Sequence, residues 1–329
     1  MCVFGRLRNV EEVAQPVYDA TPLEQGAVGM NRPFFYCLIA GKDFVTMNIQ
    51  SLFSRLCPRW LLRRKDSKND ILPDRPPEND LERRMAEFLE NDRFVLYLQP
   101  VIDLTTGRIR GAEALARLDH PERGLLFPDA FLPVINRLGL QMDFDLYMFR
   151  KSCAWLGRSR GLAGISVNFS RKTLCRPGLV RELATIADRC GVACSDIAIE
   201  VTECEKEPDE TNFIRNLQGL KSCGFLVFLD DYGDGVTVIT DLQRCPMDIV
   251  KLDRSLLLGA ESSEEGAIIF RSLVEMATKI GIDTVCEGIE TDAQEQLAKE
   301  SGCRYAQGFR YFRPTEANEL LKRLTENQT

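Results

Sequence analysis

From Phe94 onward, short β-branched or aromatic runs alternate with longer stretches of helical spacing, and this restricts the fold more than any other feature. The runs are residues 95–102, 109–115, 164–168, 197–201, 226–229, 249–252, 284–286 and 305–306. Helix-like stretches such as 181–189, 212–222, 267–280 and 293–300 separate most of them. Alternating strand and helix predicts an α/β fold, with a parallel-rich sheet and helices outside it. Eight strands in about 240 residues suit a TIM-like (β/α)8 barrel better than an open sheet. The first two runs break the pattern. Only the turn 104–108, containing Gly107, joins them, which predicts a hairpin and one antiparallel strand.

The amino-terminal part reads differently. Residues 1–80 show weak periodicity and form a short N-terminal extension and linker, and residues 81–329 form the barrel. The segment 51–65 mixes Trp60, Leu61 and Leu62 with Arg55, Arg59, Arg63, Arg64 and Lys65. Pro58 interrupts it, so a helix packed on the main domain is expected rather than membrane contact. Residues 66–80 are polar and carry Pro73, Pro76 and Pro77, as a linker does. A helix then starts at Asn79 or Asp80, with Leu81, Met85, Phe88 and Leu89 on one stripe.

Composition excludes several chemistries. Lys and Arg number 42 against 49 Asp and Glu, a net charge of −7, which disfavours an extended DNA- or RNA-binding surface. The single histidine, His120, rules out sites needing two imidazoles, and no Gly-x-Ser-x-Gly elbow accompanies it. The 12 cysteines are scattered without a Cys-x-x-Cys pair, as expected of reduced, semi-buried thiols in a cytosolic protein. No signal-peptide core and no membrane-length apolar run occurs, so a cytoplasmic location is expected. Any catalysis therefore falls to carboxylates.

Nearly every run ends in a residue suited to metal or phosphate. Glu113 closes the second and Asn168 the third. Glu200 and Glu203 close the fourth, Asp230 and Asp231 the fifth, Lys251 and Asp253 the sixth. Glu287 and Glu290 close the seventh and Gln307 the eighth. A single acid after a strand is usually a helix N-cap. Independent caps do not explain an acid-rich set recurring around a whole barrel. The C-terminal strand ends share one mouth. Acids gathered there repel one another, and divalent cations relieve this. Oxygen ligands without histidine suit Mg²⁺ or Mn²⁺, and adjacent Asp230 and Asp231 are placed to bridge two ions.

These blocks resemble a known family. Gly-Ala-Glu-Ala-Leu-Ala-Arg (residues 111–117) is similar to the signature of EAL-domain cyclic di-GMP phosphodiesterases. Tyr-Leu-Gln-Pro from Tyr97, Ser-Val-Asn-Phe-Ser from Ser166 and Ile-Glu-Val-Thr-Glu from Ile199 follow in family order. So do Leu-Asp-Asp-Tyr-Gly from Leu229, Val-Lys-Leu-Asp-Arg-Ser from Val250, Glu-Gly-Ile-Glu-Thr from Glu287 and Gln-Gly-Phe from Gln307.

The resemblance implies a barrel with one antiparallel strand that hydrolyses cyclic di-GMP to linear pGpG in bacterial signalling, using two Mg²⁺ or Mn²⁺ ions, as a homodimer. It implies that Glu113, Asn168, Glu200 and Asp230 hold one metal, and that Asp230, Asp231 and Glu287 surround the second. Glu287 and Lys251 handle the attacking water, and Glu203 braces the loop after strand five. Gln99, Glu113, Leu115, Arg117, Asp253, Glu290 and Gln307 lie where the family contacts substrate. His120 falls in the family's loop after the second strand, a structural position. Two places depart from the family pattern: Tyr232-Gly-Asp-Gly-Val-Thr-Val, with an extra charge at Asp234 and an aromatic lost at Val236, and the bulky Arg310 and Phe312 after Gln307. These departures keep a second reading open, a non-catalytic cyclic di-GMP receptor acting through protein interactions. The complete set of matched acids favours the enzyme. No Gly-Gly-Asp/Glu-Glu-Phe string is present, so no cyclase activity is expected from residues 1–80.

Overall fold

The structure, a computed structural model, describes residues 80–159, 162–202, 209–233, 242 and 244–326. The extension, the segment 51–65, Glu203 and the departing residues 234–238 lie outside the described residues.

The chain opens with helix α1 (Asp80–Glu90), which buries Leu81, Met85, Phe88 and Leu89, the stripe its spacing predicts. Strands β1 (Phe94–Asp103) and β2 (Ile109–His120) form an antiparallel hairpin. Asp103 Oδ1 accepts from the backbone of Thr105 and Thr106, and Gly107 takes φ +67°, where a Cβ is disfavoured. After β3 (Gly124–Leu126), α2 (Pro128–Arg137) and α3 (Gln141–Leu156) come β4 (Ile165–Phe169), α4 (Arg171–Leu174) and α5 (Leu179–Arg189). Then follow β5 (Ile197–Thr202), α6 (Glu210–Ser222), β6 (Leu226–Tyr232), β7 (Ile249–Leu252), α7 (Arg254–Ser262) and α8 (Glu264–Lys279). The chain continues through β8 (Asp283–Cys286), α9 (Asp292–Glu300), β9 (Tyr305–Ala306), β10 (Thr315–Glu316) and α10 (Ala317–Glu326).

The strands pair in the order β1-β2-β4-β5-β6-β7-β8-β9 and close through β9 onto β1, giving an eight-stranded barrel. β1 alone runs against its barrel neighbours. Every predicted run is a barrel strand. The short β3 and β10 lie outside the predicted runs. His120 is the last residue of β2 rather than part of the following loop. It is buried beside Phe88, and its Nδ1 accepts from the backbone of Glu122 and Arg123.

Strand alternation sorts the side chains. Ile165, Val167 and Phe169 of β4 and Ile197, Ile199 and Val201 of β5 are buried in the apolar layer under the helices. Asn168 and Glu200 stand on the opposite face, in register with each other. One core gathers α1–α6 around β1–β6, with Phe94 edge-on to Phe131, Phe144 and Tyr147. A second lies under α7, α8 and α9, around Leu252, Phe270, Val274 and Ile289.

Free thiols among the described residues include buried Cys153, Cys245, Cys286 and Cys303. Cys223 is exposed, contrary to the semi-buried expectation, because it caps the C-terminus of α6. No helix among the described residues is long and apolar enough to cross a membrane.

Candidate active site

At the C-terminal mouth of the barrel the ammonium of Lys251 forms the centre of a carboxylate cluster. Its Nζ lies 2.7 Å from Asp230, 2.9 Å from Glu287, 3.1 Å from Glu200 and 3.2 Å from Glu113. Strands β2, β5 and β6 and the residue after β8 supply these acids, and Lys251 is 2% exposed. Burial alone would drive the proton off Lys251, but the four carboxylates outweigh it and push its pKa well up, so it stays charged.

The acids respond unequally. Burial pushes Glu200 well above the usual carboxylate range, and Glu113 and Asp230 add repulsion. Burial likewise pushes Glu287 up to about 8, Lys251 opposing it and Asp230 and Glu113 adding to it. Burial acts on Glu113 too, but Lys251 and two amides overcome it and its pKa falls below the usual value. Those amides are Gln307, whose Nε2 donates to Glu113 Oε2 at 2.8 Å, and Asn168, whose Nδ2 donates to Oε1 at 3.1 Å. Gln307 Nε2 also donates to Gln99 Oε1, and Gln99 Nε2 donates to the Phe312 carbonyl.

Asp231 reaches the mouth by breaking the strand rule. Adjacent residues normally face opposite sides. Here the register of β6 on β7 shifts between Leu229 and Tyr232, and Asp231 takes φ +54°. Asp is one of the few non-glycine residues that tolerates this left-handed conformation. The bulge turns its carboxylate toward those of Asp230 and Glu287. Burial and the neighbouring Asp230 push Asp231 up to about 6.

Two groups of carboxylate oxygens lie within 4.8 Å: Glu113, Glu200 and Asp230, and Asp230, Asp231 and Glu287. They share Asp230, carry only oxygen donors and exceed the single ammonium in charge. This donor set fits hard divalent cations, and Asp230 belongs to both groups. Asn168, with its Nδ2 on Glu113, carries an Oδ1 that would add an oxygen donor to the first group.

A cavity of about 290 Å³ opens over the cluster. Gln99, Glu113, Leu115, Asp230, Asp231, Lys251, Glu287, Glu290 and Gln307, all singled out from sequence, line it. Asp253 does not: its carboxylate caps α7 through the Ser255 backbone, the ordinary role of an acid after a strand. Arg117 stands higher on β2, its guanidinium over the rings of Tyr97 and Phe127.

Sequence reading missed Arg254 and Phe309, which also line this cavity. Both lie inside the quoted blocks around Lys251 and Gln307, and Arg254 pairs with Glu290 at 2.8 Å. It also missed a second cavity of about 520 Å³, which shares Leu115, Asp230 and Asp231 and runs past Asn136, Gln141 and Asp145. Burial raises Asp145, against hydrogen bonds from Thr173, Ser170 and Gln141. A mid-helix aspartate of α3 carries no sequence signal of such a position. Of the departures after Gln307, Arg310 pairs with Asp292 and Glu295 of α9.

Fold and site together define a (β/α)8 barrel with paired carboxylate clusters at its mouth. The EAL domain family model matches residues 79–314, and the chain belongs to that family. It is 32% identical over 242 residues to the cyclic di-GMP phosphodiesterase NbdA of Pseudomonas aeruginosa, covering 72% of this chain and 31% of NbdA. It is also 32% identical over 254 residues to an uncharacterized Mycobacterium tuberculosis protein, covering 75% of this chain and 40% of that one. The chain therefore matches well under half the length of these curated relatives. Among solved structures, the PaMucR phosphodiesterase in complex with c-di-GMP superposes with a TM-score of 0.68 at 28% identity. That match covers 74% of this chain and 100% of that one.

Proposed function

We propose that residues 81–329 form a phosphodiesterase that hydrolyses cyclic di-GMP to linear pGpG and so lowers a bacterial second messenger, with residues 1–80 as an appended extension. One observation carries this reading: two oxygen-only carboxylate groups share Asp230 and meet at Lys251, at the mouth of an EAL-family barrel. The NbdA relative and the PaMucR complex support cyclic di-GMP as the ligand.

Glu113, Asn168, Glu200 and Asp230 would hold one divalent cation, and Asp230, Asp231 and Glu287 the other. Mg²⁺ or Mn²⁺ held by these residues would lower the pKa of a water and offset the phosphate charge. Glu287 takes the water's proton at its carboxylate, and Lys251, 2.9 Å away, orients that carboxylate. The water oxygen bonds to phosphorus in line with the departing 3′ oxygen. The P–O3′ bond breaks and the 3′ oxygen gains a proton, leaving a 5′-phosphate and a 3′-hydroxyl. Gln307 and Asn168 hold Glu113 in place through their amides. Arg254 and Glu290 form the rim. The second cavity, sharing Leu115, Asp230 and Asp231 with the first, has room for a nucleobase beside the reacting phosphate. Homodimerisation belongs to this reading through the family resemblance, and a cytoplasmic location is part of the same proposal.

The test is incubation of the purified protein with cyclic di-GMP and Mg²⁺ or Mn²⁺, with products resolved by chromatography. Metal-dependent pGpG that disappears in Glu113→Ala supports the enzyme. Binding in Ca²⁺ without product replaces it with the receptor.

A further inference from the structure

Phe127 is the most exposed large apolar side chain among the described residues, at 57%. The preceding β3 explains its place. Leu126 pairs with Leu118 of β2, so the next residue stands beside Arg117. The Arg117 guanidinium carbon lies 4.8 Å from the Phe127 ring centroid and 5.3 Å from that of Tyr97. The Arg117 guanidinium thus contacts both rings, with Phe127 the exposed one and Arg117 itself only 7% exposed.

These residues stand just above the linings of the two cavities, on the wall that leads to the mouth. Glu113, Leu115 and Arg117 occupy alternate positions of β2 and so share one face, rising from the carboxylate cluster toward the rim. On antiparallel β1, Gln99 pairs with Glu113, Tyr97 with Leu115 and Val95 with Arg117, rising along the same wall. Leu115 lines both cavities, and Pro128, next to Phe127, lines the larger. A planar ring backed by a guanidinium at the edge of a nucleotide-sized opening matches what a nucleobase requires: a π face and a nearby cation.

Resting on the cyclic dinucleotide reading above, we propose that Phe127 is a specificity-determining residue that stacks on one purine base of the substrate, with Arg117 holding the ring from behind. Phe127 takes no part in the bond-breaking step. It selects a phosphodiester that carries a base over one that does not.

The test compares wild type, Phe127→Ala, Phe127→Leu and Phe127→Trp on cyclic di-GMP and on bis(p-nitrophenyl) phosphate, which has no purine, both with Mn²⁺. Phe127→Ala should lower the ratio of kcat/KM for the dinucleotide to that for the small ester by about tenfold, within the range of stacking one base. The loss should appear in KM. Phe127→Trp should restore the ratio and Phe127→Leu, apolar but without a π face, should not. An unchanged ratio in Phe127→Ala, or full rescue by leucine, overturns the assignment. If the wild type cleaves neither ester, the hydrolase reading fails separately. The stacking is then read from cyclic di-GMP affinity in Ca²⁺ by calorimetry: about tenfold weaker binding in Phe127→Ala sustains it and equal binding refutes it.

Discussion

Replacing Lys251 by methionine tests the electrostatic account of the site directly. The side chain keeps its length and loses its charge, leaving Glu113, Glu200, Asp230 and Glu287 without the ammonium that lies within 3.2 Å of each. Removing one partner of a buried ion pair costs about 3–5 kcal/mol, because the remaining charge is left uncompensated. For a domain of this size each kcal/mol moves Tm by about 2–4 °C, so the metal-free variant should melt roughly 6–20 °C below wild type near pH 8. The deficit has a pH signature. Lys251 opposes the upward shifts of Glu200 and Glu287, so its loss drives both pKa values higher, and lowering the pH neutralises them more readily than in wild type. Protonated carboxyls need no counter-charge, so the deficit should shrink toward about pH 5.5. Mn²⁺ should supply the missing charge and raise the Tm of Lys251→Met more than that of wild type. The assay is thermal melting in EDTA and in Mn²⁺ at both pH values, with pGpG formation recorded in parallel and expected to be lost. An equal Tm deficit at both pH values, with equal Mn²⁺ stabilisation of both proteins, would refute the ammonium as counterweight to the cluster.

Three further outcomes are expected. In metal-free wild type, Glu287 titrates at about 8 when folded against an ordinary 4.5, so the folded protein holds a proton that the unfolded chain releases first. Its stability contribution is present below about pH 4.5 and lost as pH rises through about 8, and urea unfolding across that range checks the sign. Glu113→Gln should leave the fold intact by circular dichroism and abolish pGpG formation. Its amide is a neutral, weaker ligand, and a 100-fold excess of Mn²⁺ should not restore wild-type turnover. In Gly308→Ala the new methyl would meet the Ile289 carbonyl oxygen at 2.1 Å, so the backbone segments carrying Gln307 and Glu287 must part. A loss of about 3 kcal/mol in urea unfolding, with weakened turnover, is expected, and a neutral result would show that the two segments are not locked together.

Sequence alone determined the order of the barrel, because strand and helix periods are local. Runs of β-branched and aromatic residues mark the strands, and a polar residue where a run ends is visible in the sequence itself. The stripe of α1, the antiparallel first hairpin and the series of residues from Glu113 to Gln307 are therefore legible in the sequence. Which of those ends meet is a different question, decided by closure and stagger of the sheet. Only the folded barrel puts Lys251 within reach of acids from three strands and the end of a fourth, and only the bulge at Asp231 brings two consecutive aspartates into one carboxylate group. The same tertiary geometry turns Asp253 into a helix cap, although in the sequence it is as plausible a strand-end acid as Glu287. Arg254, Phe309, Asp145 and the exposed ring of Phe127 gain their places through packing between elements distant in the chain. A strand end reports its own chemistry, and the neighbours it will face are set by the closed barrel.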